Sequence, residues 1–222
     1  MEKRIPVMEW TVPIRLHHWI MVISIFVLIV TGFYIASPLT ISAEETINKH
    51  LMGQMRFWHI LFGAILTIIF AWRIYMAFFP EFHASWKNFL AGADKENLIK
   101  QLKFYLLISN EKPEHKYLYG PMQAFAYAGL FFMIFLIVVT GLILTGAGYR
   151  VGLFGLFYWL LRPVENLMGG LATVRFIHHI LTWLFVLFII VHVYMAFWYD
   201  IVFKEGTISS MISGVVFKKK AE

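Results

Sequence analysis

The sequence contains no cysteine. That absence excludes disulfides, cysteine-ligated iron–sulfur clusters and covalently attached c-type haem. Charge is scarce as well. Asp, Glu, Lys and Arg make up 14% of the 222 residues, while 60% are hydrophobic and the mean hydropathy is +0.71. This balance belongs to an integral membrane protein in contact with lipid, not to a soluble domain. The net charge of +6 does not point to nucleic acid, because the basic residues flank long apolar runs, where membrane topology accounts for them. Residues 1–16 form a polar lead with no signal-peptide cleavage pattern, and the first apolar run is long enough to be a full span.

Four apolar runs predict four spans, at about 17–37, 57–79, 123–146 and 174–199. The expected fold is all-α: one transmembrane domain over residues 1–222, built as a membrane four-helix bundle. The connection 80–122 is long and charged, and an amphipathic helix is predicted near Lys95–Ser109. In 147–173 the run VGLFGLFYWLL is too short to span and is expected to lie along the outer surface. The lead, the loop 80–122 and the tail 200–222 carry 13 Lys and Arg, against 5 in residues 38–56 and 147–175. The positive-inside rule therefore predicts a multi-pass protein with both termini in the cytoplasm.

Histidines interrupt the apolar runs. A polar side chain in a membrane span is costly and marks a functional site by default. The fourth span carries His178, His179 and His192. His178 and His192 are fourteen residues apart, so they differ by about 40° around the helix and lie roughly 21 Å apart along it. His179 points about 100° away from His178, as does His17 from His18. The first span opens R-L-H-H-W at Arg15, near the cytoplasm, and the second opens R-F-W-H at Arg56, near the outer surface. Depth then pairs His18 with His192 on the inner side and His59 with His178 on the outer side. Two imidazoles per site suit six-coordinate haem b, so two non-covalent b haems stacked across the membrane are expected. Zinc needs three or four converging ligands, and these pair two by two. The aromatic share of 18% also suits the lining of a large planar cofactor, although interfacial belts use aromatics too. His50, His83 and His115 fall in connections and read as solvated.

A weak repeat relates the two halves. The first and third spans share LIVTGFYI and LIVVTGLIL, and the second and fourth end in RIYMAF and HVYMAF. Superposing the halves sets Arg73 opposite His192 and Tyr127 opposite His18. Gly32 and Gly141, the glycines of the two TG dipeptides, stand at the depth of the outer site. They are expected to let a macrocycle approach the backbone, beside the common use of such glycines in helix packing. Arg73, a charge within a span, is expected either to pair with a haem propionate or a quinone, or to snorkel to the cytoplasmic interface.

At these residues the chain resembles the cytochrome b subunit of membrane-bound nickel–iron hydrogenases. The resemblance rests on RLHHWIMVISIFVLIVTG (Arg15–Gly32), MGQMRFWH (Met52–His59) with RIYMAF (Arg73–Phe78), HHILTW and HVYMAFWYDI (within His178–Ile201), and GTISSMISG (Gly206–Gly214). It selects His18 over His17. It implies two b haems receiving electrons from a hydrogenase small subunit that sits, with its large subunit, on the outer face of a bacterial inner membrane. It further implies delivery to menaquinone or ubiquinone near the inner haem, with reduction of the quinone on this chain. Where many members carry an Asn before the Pro that opens the third span, this chain has Tyr119-Gly120-Pro121-Met122-Gln123. Gln123, Tyr127 and Arg73 become the candidate quinone contacts. The same plan serves cytochrome b subunits of formate dehydrogenases and related reductases, and a stand-alone diheme membrane oxidoreductase is a further alternative.

Overall fold

A computed structural model describes residues 4–38, 50–79, 95–109 and 121–219. The loop histidines His83 and His115, and most of the connection 80–122, lie outside the described residues. In chain order the elements are β1 (Arg4–Met8), α1 (Val12–Ala36), α2 (His50–Ala77), α3 (Lys95–Tyr105), α4 (Pro121–Gly148), α5 (Gly152–Leu167), α6 (Leu171–Phe203), α7 (Thr207–Ser213) and β2 (Val215–Lys219). Among them, α1, α2, α4 and α6 are long and apolar enough to cross a membrane. That is the all-α membrane architecture the hydropathy predicts. His50, read from sequence as a loop residue, is the first residue of α2.

Polar groups inside these helices satisfy themselves locally, as a bilayer demands. The hydroxyls of Ser24, Thr67 and Thr182 donate to the carbonyls of Ile20, Gly63 and His178, each four residues back, at 2.8, 2.8 and 3.1 Å. Helix α4 opens on Pro121, whose missing amide proton costs nothing in a first turn. The next amide, that of Met122, donates to the Gln101 side-chain oxygen at 3.0 Å. Gln101 thus caps α4 from α3.

By Cα proximity the chain divides into two compact units. One gathers the described parts of Met1–His18, Trp72–Phe132 and Leu187–Glu222; the other is Trp19–Ala71 with Met133–Val186.

In the first unit, α3 turns Asn97, Gln101 and Phe104 inward, a spacing of four and three that puts them on one helix face. Phe104 is fully buried and stacks on Phe203 with ring centres 5.2 Å apart. Ile99 and Leu102 stay exposed on the other side. The amphipathic helix expected here therefore buries a partly polar face and leaves apolar residues outward, as suits a helix at a lipid interface. Tyr194 fastens it by donating its hydroxyl to the Tyr105 carbonyl at 2.8 Å. Burial pushes the Tyr105 phenol up to about 12, so it stays neutral at physiological pH.

The same unit holds a feature the hydropathy does not reveal. Residues read as a polar lead and a tail pair as antiparallel strands, Arg4 with Lys219 through Met8 with Val215. Pro6, which has no amide proton, stands opposite Phe217, whose own N–H turns away to the Glu205 carbonyl at 2.9 Å. Lys218 and Glu9 add an ion pair at 3.1 Å, half in solvent and so of small value. Arg4 donates to the Lys204 carbonyl and Arg15 to that of Ile212. Within the tail motif, Gly206 and Gly214 bracket α7 with φ of +75° and +84°. The Gly214 carbonyl accepts the amides of Glu9 and Trp10, and a Cβ at Gly214 would stand 2.8 Å from the Trp10 carbonyl oxygen. Gly214→Val is therefore expected to cost about 2 kcal/mol locally, from left-handed strain and the clash together. Limited trypsin digestion checks it: cleavage at Lys218 should accelerate in the variant, while unchanged protection would count against the strain.

Candidate functional site

The second unit brings together one of the histidine pairs suggested by spacing. His59 of α2 and His178 of α6 face each other with ring centres 6.3 Å apart and planes at 68°. Thr31 of α1 and Thr140 of α4, both buried, stand behind them. Thr31 Oγ1 lies 2.9 Å from His59 Nδ1, and Thr140 Oγ1 lies 2.8 Å from His178 Nδ1. Each hydroxyl also lies 2.7 Å from a carbonyl four residues back in its own helix, that of Val27 or of Leu136. A carbonyl can only accept, so the hydroxyl proton goes there. The imidazole Nδ1–H then donates to the hydroxyl oxygen, and Nε2 keeps its lone pair.

Gly32 and Gly141 occupy this same place, but toward the rings themselves. A Cβ at Gly32 would stand 3.1 Å from His59 Cε1, and one at Gly141 would stand 3.4 Å from His178 Cε1. The expectation of room for a macrocycle is thus joined by a nearer reason: the missing side chain seats an imidazole edge. His179 has its own surroundings. It accepts the indole N–H of Trp183 at 3.3 Å, and its ring meets Phe33 edge-on at 6.0 Å.

The first unit brings together the other pair. His18 of α1 and His192 of α6 have ring centres 6.4 Å apart and planes at 51°. Phe188, one turn before His192, stacks nearly parallel to its ring at 5.7 Å and 8°. His17 is buried and meets Trp72 edge-on at 6.2 Å. Arg73 follows on α2, half-buried, near the end of that helix. Gln123 and Tyr127 lie one turn apart on the opening of α4, also half-buried. All three share the unit of the His18–His192 pair.

These separations test the fit of an iron held by two imidazoles. A metal–imidazole bond of ~2.0 Å and a nitrogen-to-centre distance of ~1.15 Å on each side place the two ring centres about 6.3 Å apart. Both pairs match that value within about 0.1 Å. Among the described residues, no group of three or more His, Cys, Asp or Glu converges as a zinc site would require. Sequence reasoning picked out the four histidines and missed Thr31 and Thr140. The signal for them was the TG dipeptide shared by the two halves, in which only the glycine was read.

A membrane helical bundle carrying opposed imidazole pairs defines a class, the transmembrane b-type cytochromes. Comparison with known proteins makes the class specific. Residues 9–214 match the family described as prokaryotic cytochrome b561, and the chain belongs to that family. Its curated relatives include a "Probable Ni/Fe-hydrogenase B-type cytochrome subunit" of Azotobacter vinelandii, 35% identical over 96% of this chain and 89% of that one. The protein of that description in Rhodobacter capsulatus is 32% identical over 96% of this chain and 82% of its own length. A "Probable Ni/Fe-hydrogenase 1 B-type cytochrome subunit" of Escherichia coli (strain K12) is 27% identical over 91% and 87%. The chain is thus a multi-pass membrane cytochrome of electron transport, with haem b as its cofactor.

Proposed function

We propose that this chain is the membrane subunit of a nickel–iron hydrogenase and carries electrons from the enzyme's small subunit, on the outer face, to menaquinone or ubiquinone. Haem b supplies reversible one-electron exchange between ferric and ferrous iron. His59 and His178 would hold one such group, and His18 and His192 a second. The observation that carries this reading is the pair of ring separations, 6.3 and 6.4 Å, each suited to one six-coordinate iron. Hydrogenase association is supported by the names of the relatives, which align with nearly the whole chain.

The chain's own residues do the remaining work. Thr31 and Thr140 fix the tautomer of the outer ligands, so that each Nε2 offers its lone pair without first losing a proton. Phe188 holds the His192 ring in plane by stacking. Arg73, Gln123 and Tyr127 supply a cation, an amide and a phenol in the unit of the inner pair, the polar chemistry a quinone headgroup needs. The distribution of Lys and Arg supports cytoplasmic termini in a bacterial inner membrane. The meeting of β1 with β2 agrees in bringing the two ends of the chain to one place.

Purified protein is expected to contain two b haems per chain by pyridine haemochrome quantitation, and to copurify with large and small hydrogenase subunits. One haem per chain would break the pairing at one depth. Copurification with formate dehydrogenase subunits, or with no partner at all, would transfer the reading to one of the alternative assignments.

A further inference from the structure

The two TG dipeptides treat their histidines alike. Thr31 and Gly32, at the outer part of α1, grip His59 of the next span; Thr140 and Gly141 of α4 grip His178 of the span that ends its half. In each case the threonine accepts Nδ1–H and the glycine seats Cε1, so the dipeptide clasps the ring edge between those atoms. The threonines are 4% and 0% exposed, which keeps water from competing for the bond. The same local device therefore appears twice, once for each imidazole of one site.

We infer that Thr31 and Thr140 are positioning residues for the His59–His178 haem, fixing tautomer and ring plane and holding that haem's reduction potential down. The inference rests on the reading that His59 and His178 would hold that haem. The chemistry follows from the direction of the hydrogen bond. An Nδ1–H that donates to oxygen leaves more electron density on Nε2, and a stronger donor favours ferric over ferrous iron. Two such bonds act on one iron in the same direction.

Four single variants, Thr31→Val, Thr140→Val, Thr31→Ser and Thr140→Ser, and the double valine variant test this, made in the full chain with its partner subunits. Potentiometric titration of the b-type absorbance and EPR of the ferric protein are the readouts. Each valine should raise one of the two midpoint potentials, leave the other in place, and shift one low-spin EPR signal. The double valine variant should move that same midpoint further. Each serine keeps the hydroxyl and should restore both readouts. Loss of one haem from a valine variant, with rescue by serine, also supports the inference.

Valine variants with unchanged midpoints and EPR would overturn it. So would serine variants that behave like valine, because the role would then be the packing of a methyl group. Haem content separates this failure from that of the ligand assignment. A His59→Ala protein that keeps its full haem complement refutes the assignment itself. Two haems per chain, one of them lost in His59→Ala, with midpoints indifferent to valine, refute only the role of the threonines.

Discussion

Replacing His59 with alanine is expected to halve the haem content, from two per chain to one, and to reduce hydrogen-driven quinone reduction to background. The argument is geometric. His59 and His178 face each other at 6.3 Å, and among the described residues no third His, Cys, Asp or Glu stands close enough to either to complete a cluster. Removal of one ring leaves a single imidazole where a low-spin six-coordinate iron needs two. The Thr31 hydroxyl then loses the donor it accepts from and keeps only the bond it gives to the Val27 carbonyl. The hydrogenase partner would retain its activity toward a soluble artificial acceptor, because its own centres are untouched. The measurement is a reduced-minus-oxidised spectrum with haemochrome quantitation, beside quinone reduction in membranes. Retention of two haems, or unchanged quinone reduction, would show that this histidine is not a ligand.

The second large effect is expected at the other pair and differs in kind. His192→Ala should also remove one haem, but the b-type absorbance that remains should still be reduced by hydrogen. What should be lost is reoxidation by added quinone, because the His18–His192 pair and the residues Arg73, Gln123 and Tyr127 belong to one unit. Stopped-flow spectroscopy separates the two variants: His59→Ala blocks entry of electrons from hydrogen, and His192→Ala blocks their exit to quinone. If both variants lost the entry phase, the assignment of the two pairs to opposite faces would be wrong. Normal reoxidation in His192→Ala would move the quinone contact away from the inner pair.

Much of this was legible in the sequence, for physical reasons that differ from residue to residue. The four spans were plain because a bilayer imposes a length and polarity that a linear scan detects. The histidines stood out because an imidazole in hydrocarbon needs a reason, and a spacing of fourteen residues brings two of them to one helix face. The threonines were hidden by their double role. A threonine in a membrane helix ordinarily bonds back to its own carbonyl, as Thr67 does to Gly63. Nothing local announces that Thr31 also accepts a hydrogen bond from the next helix. Gly32 was read for the right place and a broader purpose, since only the structure puts its open face against His59 Cε1. Helix α3 was predicted as amphipathic, but the inward turn of Gln101 answers the amide of Met122, a tertiary fact. The strands were illegible because five-residue segments at the two ends of the chain carry no periodicity that requires a partner.

The pairing of β1 with β2 has a consequence for biogenesis. Residues 4–8 leave the ribosome more than 200 residues ahead of the strand they pair with. At about 5–20 residues per second, the wait is roughly 10–40 s. Through that interval all four spans must enter the membrane, and an odd number of insertions would strand the two ends on opposite sides. Closure of the sheet therefore comes last and follows only an even number of insertions, and a nascent chain released before residue 215 never reaches it.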